Sequence, residues 1–245
     1  SDLVLVSAQQ LKTIDEIKEL NIDVPDVQNI SGYNGIYNRY IKRILDLFFS
    51  VFLFVLLLPL FLIISVAIAA DSGFPVFYRA QRGGYKNQPF KIYKFRTMVQ
   101  NADQIGGGTT ALNDARITRV GAFLRKTKLD EIANLINIIR GEMSFIGPRP
   151  ELLRYTNLYS GNEKYIFEVR PGITDFSSDL FINLDEIVGS ENADEMYEKY
   201  VLKNKNALRV KYAAEVSFST DVHIFFKTVI DVLKKTSSFL LRKGR

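Results

Sequence analysis

Two adjacent carboxylates, Asp130 and Glu131, stand among cations: Arg116, Arg119, Arg125, Lys126 and Lys128 lie upstream and Arg149 lies downstream. One carboxylate could attack phosphorus while the other holds a hard divalent cation, with Lys and Arg binding phosphate oxygens. A plainer reading fits the pair taken alone. Acids in the first turn of a helix are favoured by roughly 0.3–1 kcal/mol through its unpaired N–H groups and dipole. The surrounding cations tilt the reading toward phosphate chemistry.

The elements that must position these residues can be read from the pattern. Leu129, Ile132, Ala133, Ile136 and Ile139 recur at helical spacing and predict an amphipathic helix with those side chains inward. Asp130, Asn134 and Asn137 form its polar stripe. Thr127 stands where a capping box would place it, and Gly141 where a C-cap is expected. Upstream, PVFYRA and PFKIYKF are separated by Gly83, Gly84 and Asn87, which predicts a β-hairpin. On its second strand Lys91, Tyr93, Phe95 and Thr97 share one face, and Ile92, Lys94, Arg96 and Met98 the other. Taken alone, this basic strand reads as a surface facing lipid headgroups. The glycine run at 106–108 lacks the lysine and spacing of a phosphate loop and reads as a linker. Two prolines around Arg149 predict a rigid turn, which could serve to hold a phosphate-binding arginine.

Leu47 to Ala70 is an uncharged run of 24 residues. As a straight helix it would reach about 36 Å, enough for a bilayer core of roughly 30 Å. Its internal place and length exclude a signal peptide. Pro59 removes a hydrogen bond near the middle and bends the axis. Lys42 and Arg43 precede the run, and Arg79, Arg82 and Lys86 follow it, a hint that both ends face the cytoplasm. The residues alone favour a kinked full span over a segment that enters one leaflet and returns. Asp46, near the entrance, is expected to pair with Arg43 or Lys42.

The length of 245 residues suits one or two domains. No cysteine is present, so disulfides and thiolate metal sites are excluded, as suits a cytosolic setting. The net charge of +5 is uneven: residues 71–150 carry 13 Lys and Arg against 6 Asp and Glu. That basic middle calls for a polyanionic partner, whether nucleotide, phospholipid surface or nucleic acid. Residues 1–38 read as an extension and linker, containing a strand at LVLV and a short helix at SAQQLKTIDEIKEL. Residues 39–71 read as the membrane segment, 72–220 as the main domain, which the resemblance described next makes catalytic, and 221–245 as an amphipathic basic helix. In that last helix Val222, Phe225, Phe226, Val229, Ile230 and Val232 form the apolar face, and the sole histidine, His223, is assigned to packing or an interface.

The ordered motifs KRILDLFFS, PVFYRAQRGG, FKIYKFRTM, RITRVGAFLRKTKLDEIANLINIIRGEMSFIGPRPE and VRPGIT resemble the bacterial sugar transferase family, the monotopic phosphoglycosyl transferases, over roughly residues 39–235. The resemblance implies transfer of a sugar 1-phosphate from a UDP-sugar to a polyprenyl phosphate, releasing UMP, at the start of glycan assembly on the cytoplasmic face of the bacterial inner membrane. It makes Asp130 the nucleophile and Glu131 the Mg²⁺ ligand, with Lys91, Lys94, Arg96, Arg125, Arg149 and Arg170 binding phosphates. It also implies a re-entrant membrane helix, against the full span favoured above. The expected fold is α+β: mostly helical and membrane-associated, with a small β-hairpin. Membrane lipid is a further expected partner, a homo-oligomer is left open, and nucleic acid is not expected, since no RNP-like or helix-turn-helix pattern is present. The competing class is a non-catalytic membrane-anchored basic module that binds phospholipid or nucleotide-sugar. Two departures from the family pattern are Leu58 before Pro59 and Asp175-Phe176-Ser177-Ser178 after RPGIT.

Overall fold

The structure, a computed structural model, describes residues 13–26, 32–102, 114–181, 184 and 193–243. The expected LVLV strand and the linker at 106–110 lie outside these residues. The fold is mostly helical. Helix α1 (Ile14–Glu19) starts at a capping box between Thr13 and Glu16. A π-helical turn (Tyr37–Ile41) leads into α2 (Lys42–Leu56), followed by α3 (Leu58–Ser72). The axis turns by 62° between them, where Pro59 has no N–H to continue the ladder. Among the described residues no single helix is long and apolar enough to cross a membrane; the bent pair passes that test only as two halves.

Strands β1 (Phe77–Arg82) and β2 (Phe90–Phe95) form the predicted antiparallel hairpin, with Tyr78 opposite Lys94 and Ala80 opposite Ile92. Helix α4 (Arg119–Thr127) then leads through a 3-10 turn (Leu129–Ala133) to α5 (Asn134–Arg140). The periodicity predicted one helix from 129 to 140 capped by Thr127. Instead Lys128 adopts the left-handed conformation, its N–H closes the end of α4, and the Thr127 hydroxyl donates to Phe123 O at 2.9 Å. Asp130 and Glu131 therefore sit in a tight turn between two helices rather than in the first turn of one.

A second, parallel pair joins β3 (Ser144–Ile146) to β4 (Gly172–Thr174). The backbones touch so closely beyond it that a Cβ at Gly172 would lie 2.1 Å from Gly147 N, which explains why both positions are glycine. Short helices α6 (Leu153–Thr156), α7 (Phe176–Leu180) and α8 (Ala193–Met196) connect to α9 (Leu202–Glu215) and α10 (Phe218–Lys243).

Apolar burial divides into neighbouring groups. Phe61, Ile64 and Ile68 of α3 pack on Phe90, Ile92 and Phe95 of β2 and on Leu124, Ala133, Leu135 and Ile138, so one side of the bent pair belongs to the core. Ile17 and Ile22 are buried with Tyr155, Leu180, Phe181, Tyr197 and Val201. The other side of the bent pair exposes Phe48, Phe52, Val55, Leu62, Ile63 and Val66. Helix α10 likewise turns Ile224 inward and leaves Phe225, Phe226, Val229, Ile230 and Leu233 exposed, with His223 exposed beside them.

Candidate active site

The acid pair is held from three directions. Strand β2 brings Lys94 Nζ to 3.0 Å from Glu131 Oε1. The loop after β3 brings Arg149, whose two terminal nitrogens fork onto the Glu131 oxygens, one at 3.1 Å and the other in closer contact. The same guanidinium donates to Ile173 O at 3.0 Å, and the Arg149 N–H donates to Asp175 Oδ2 at 2.9 Å. Asp175 is fixed in turn by Ser177 Oγ at 2.6 Å and by Ser178 N at 2.8 Å. The rigid turn expected around Arg149 is thus built from prolines, a carboxylate cap and the close glycine contact.

Helix α5 is docked on β2 by Asn137, which is fully buried: Tyr93 N–H donates to its Oδ1 at 2.8 Å, and its Nδ2 donates to Lys91 O at 2.9 Å and Glu142 Oε2 at 2.8 Å. The expected apolar face does pack on the core, with Ala133 fully buried and Leu129, Ile132 and Ile136 against it, but it is not the only buried face. Asp130, Asn134 and Asn137, the polar stripe, are buried, while Ile132, Ile136 and Ile139 are only half-buried. Polar groups face inward because strand backbone and site cations are there to meet them.

The two carboxylates differ in environment. Burial acts to raise the Glu131 pKa, but Arg149 and then Lys94 overcome it and hold Glu131 well below the usual carboxylate range. Asp130 is 8% exposed and its Oδ1 has no partner. Burial first, then the Glu131 charge, raise its pKa, with Lys94, Lys128 and Arg125 opposing. One acid is a fixed, paired anion; the other is a buried carboxylate with an open acceptor.

The remaining expected site residues divide. Arg125 lies near enough to Asp130 and Asp114 to lower both pKa values. Lys91 is exposed and points away from Lys94, as alternation along a strand requires. Arg96 is buried and donates to Ser72 O at 2.8 Å and Gly73 O at 2.6 Å, so it clamps the end of α3 instead of joining the acid pair. Arg170 donates to Gly141 O at 3.2 Å and lies 4.8 Å from the Tyr85 ring centre, on the far end of α5. Asp46 pairs with neither expected cation: it accepts from Phe145 N at 3.2 Å, while Lys42 binds Asp221 and Arg43 donates to Ile138 O and Ile139 O. Asn137 and Asp175 were missed as positioning groups. An Asn between apolar residues of a helix, and an Asp directly after RPGIT, were the available signals.

A paired anion and an open buried carboxylate, ringed by Lys and Arg beside an exposed apolar helix pair, define a site suited to phosphate-bearing ligands. The chain belongs to the bacterial sugar transferase family, whose pattern it matches over residues 37–235. It is 33% identical over 217 residues to the UDP-galactose-lipid carrier transferase of Erwinia amylovora, covering 82% of this chain and 42% of that protein. It is 38% identical over 134 residues to a putative undecaprenyl-phosphate N-acetylgalactosaminyl 1-phosphate transferase of Bacillus subtilis (strain 168), covering 55% and 71%. To the UDP-glucose:undecaprenyl-phosphate glucose-1-phosphate transferase of Caulobacter vibrioides it is 32% identical over 201 residues, covering 81% and 72%. The chain therefore spans less than half of the first relative and about seven tenths of the other two. All three names are those of transferases, which are enzymes.

Proposed function

We propose that this protein is an enzyme that transfers a sugar 1-phosphate from a UDP-sugar to a polyprenyl phosphate and releases UMP, through a phosphoryl-aspartate on Asp130. The observation that carries the reading is Asp130 Oδ1, a buried acceptor without a partner next to a Glu131 already neutralised by Arg149 and Lys94. A structural cap would have its oxygens bonded; a nucleophile needs one free.

In the first step an Asp130 oxygen attacks the phosphorus that bears the sugar, and the bond from that phosphorus to the bridging oxygen breaks. UMP leaves with the electron pair. An oxygen of the lipid phosphate then attacks the same phosphorus, and the Asp130 carboxylate departs unchanged. One hard displacement becomes two easier ones. Arg149 and Lys94, engaged on Glu131 here, would turn from it to meet charge as it spreads over non-bridging oxygens, where an Arg fork matches two at once.

The donor set fits Mg²⁺ in a particular way. Among the described residues no group of three or more His, Cys, Asp or Glu is placed to hold a metal. Mg²⁺ characteristically takes one or two carboxylates and completes its shell with phosphate oxygens and water, so Glu131 would serve as the protein ligand and a diphosphate and water would supply the rest. Bound there, the ion would neutralise charge building on the diphosphate.

Attachment to the cytoplasmic face of the bacterial inner membrane is part of the proposal. The bent pair α2–α3 would enter one leaflet and return, and the exposed apolar face of α10 would lie along the interface. Purified protein supplied with Mg²⁺, undecaprenyl phosphate and a panel of UDP-sugars should release UMP, and Asp130→Asn should release none. UDP as the product would overturn the mechanism. Donor binding without any turnover would favour the non-catalytic module.

A further inference from the structure

The family pattern begins at residue 37, yet the described residues well ahead of it, 13–26, are seated in the body of the molecule. Ile17 of α1 is 1% exposed and Ile22 is 4% exposed. Both are buried with Tyr155, Leu180, Phe181, Tyr197 and Val201, and Leu20 and Val24 pack against the same cluster. After α1 the backbone is extended at Leu20, and the buried side chain of Asn204 from α9 grips it there. Asn204 Oδ1 accepts from Ile22 N–H at 2.7 Å, and its Nδ2 donates to Leu20 O at 2.9 Å, as a neighbouring strand would. Asn162 Nδ2 donates to Pro25 O at 3.2 Å, and Lys203 Nζ donates to Asn21 Oδ1 at 3.0 Å.

The groove supplies the order in this segment. A helix of six residues does not hold by itself in water. Residues 13–26 carry five Asp and Glu against one Lys, a composition that water accommodates well. The segment therefore behaves as a ligand that the chain carries with it.

The groove also backs onto the Arg149 turn. Tyr155 and Tyr197, both in its wall, have ring centres 5.7 Å apart. The Tyr197 hydroxyl donates to Glu151, which also accepts from Arg209 at 2.7 Å. Glu151 follows Pro150 and stands two residues from Arg149, whose guanidinium forks onto Glu131. With Ile17 and Ile22 withdrawn, the cluster around the two tyrosines loses two buried aliphatic side chains, and side chains beside such a void regain rotamer freedom. The Tyr197–Glu151 contact carries that freedom to the turn. We infer that residues 13–26 act as a positioning strap: seated in this groove and held by Asn204, they fix Glu151 and, through it, the Arg149 turn beside the acid pair. Its effect on turnover rests on the transferase reading; its seating does not.

The test uses the full chain in detergent with Ile17→Asp and Ile22→Asp together, since neither carboxylate can be buried in an apolar groove. Hydrogen exchange should rise over residues 147–155, which include the Arg149 N–H. In parallel, kcat for UMP release should fall about tenfold while each KM stays within about threefold, the mark of a group displaced from the transition state. A synthetic peptide of residues 13–26 added to that variant should restore both readouts. Asn204→Ala, which leaves the strap's own sequence intact, should give a smaller loss in the same direction, and Ile17→Val with Ile22→Val should stay near the wild type. If the double Asp variant does not fold, Ile22→Ser alone serves in its place. In an enzyme that turns over, unchanged kcat or unchanged exchange overturns the inference, as do losses that saturating peptide fails to reverse. Wild type that releases no UMP, while exchange at 147–155 still answers to the strap and to the peptide, sinks the transferase reading and leaves the strap standing.

Discussion

Asp130 occupies a place that does not suit a carboxylate. Burial and the neighbouring Glu131 both disfavour its charge, and one oxygen lacks a donor. Asp130→Asn should therefore melt higher than the wild type although it is inactive; a gain of about 1 kcal/mol corresponds to roughly 2–4 °C for a chain of this size. A lower melting temperature would show that the charge stabilises the fold and is not strained for catalysis. At this scale the sequence was partly readable. Asp130, Glu131, Lys94 and Arg149 meet in space, because the adjacent acids and the rigid proline turn encode local geometry. Lys91, Arg96 and Arg170 carry the same charge but lie away from the acid pair, since strand alternation and the reach of each side chain decide where a cation ends up.

Between elements, the joint that sets the site is α5 against β2. Asn137 makes two hydrogen bonds across it, to two strand main-chain groups, and a third to Glu142 just beyond the end of α5. Asn137→Ala would leave a buried strand N–H and C=O unpaired, costing about 2–4 kcal/mol. Thermal melting should fall by roughly 4–16 °C, and kcat should drop more than KM rises as Lys94 loses its fixed distance from Glu131. Unchanged melting would mean that water or a shifted side chain replaces all three bonds. The hairpin was readable from its alternation and its glycine-rich turn. The apolar period correctly placed Ala133 and its neighbours on the core but ran one helix through the 3-10 turn of the acid pair and did not foresee that the polar stripe is buried too. The reason is physical: a helix docked beside strand backbone can bury an amide such as Asn137 along with Leu135 and Ile138, because strand N–H and C=O groups meet it. The parallel pairing of β3 with β4 left no sequence signal, because each strand has three residues and the partners are 28 positions apart.

For the whole molecule, Glu151 ties the Arg149 loop to α9 through Arg209 and, through Tyr197, to a second π-helical turn (Tyr197–Val201) that precedes α9. Burial opposes the Glu151 charge, but Arg209 and Lys205 prevail and bring its pKa to about 2, against 4.5 when unfolded. A depressed acid stabilises the fold above its unfolded pKa, so this contribution is complete above pH 4.5 and fades as pH falls toward 2. The side chain is 12% exposed, and the contribution is on the order of 3 kcal/mol. Acid unfolding followed by circular dichroism should lose that dependence in Glu151→Gln; superimposable acid limbs would refute it.

One feature ties the molecule to its surroundings. Arg96 fastens the end of α3 to β2, and two residues earlier on the same face of that strand Lys94 grips Glu131, a separation of about 7 Å along the strand. With the bent pair seated in lipid as proposed, force on the helices reaches the acid pair through this link and through the packing of α3 on β2. Hydrocarbon thickness and lateral tension then become mechanical inputs to the chemistry, with the bilayer acting on the enzyme as a spring as well as a support.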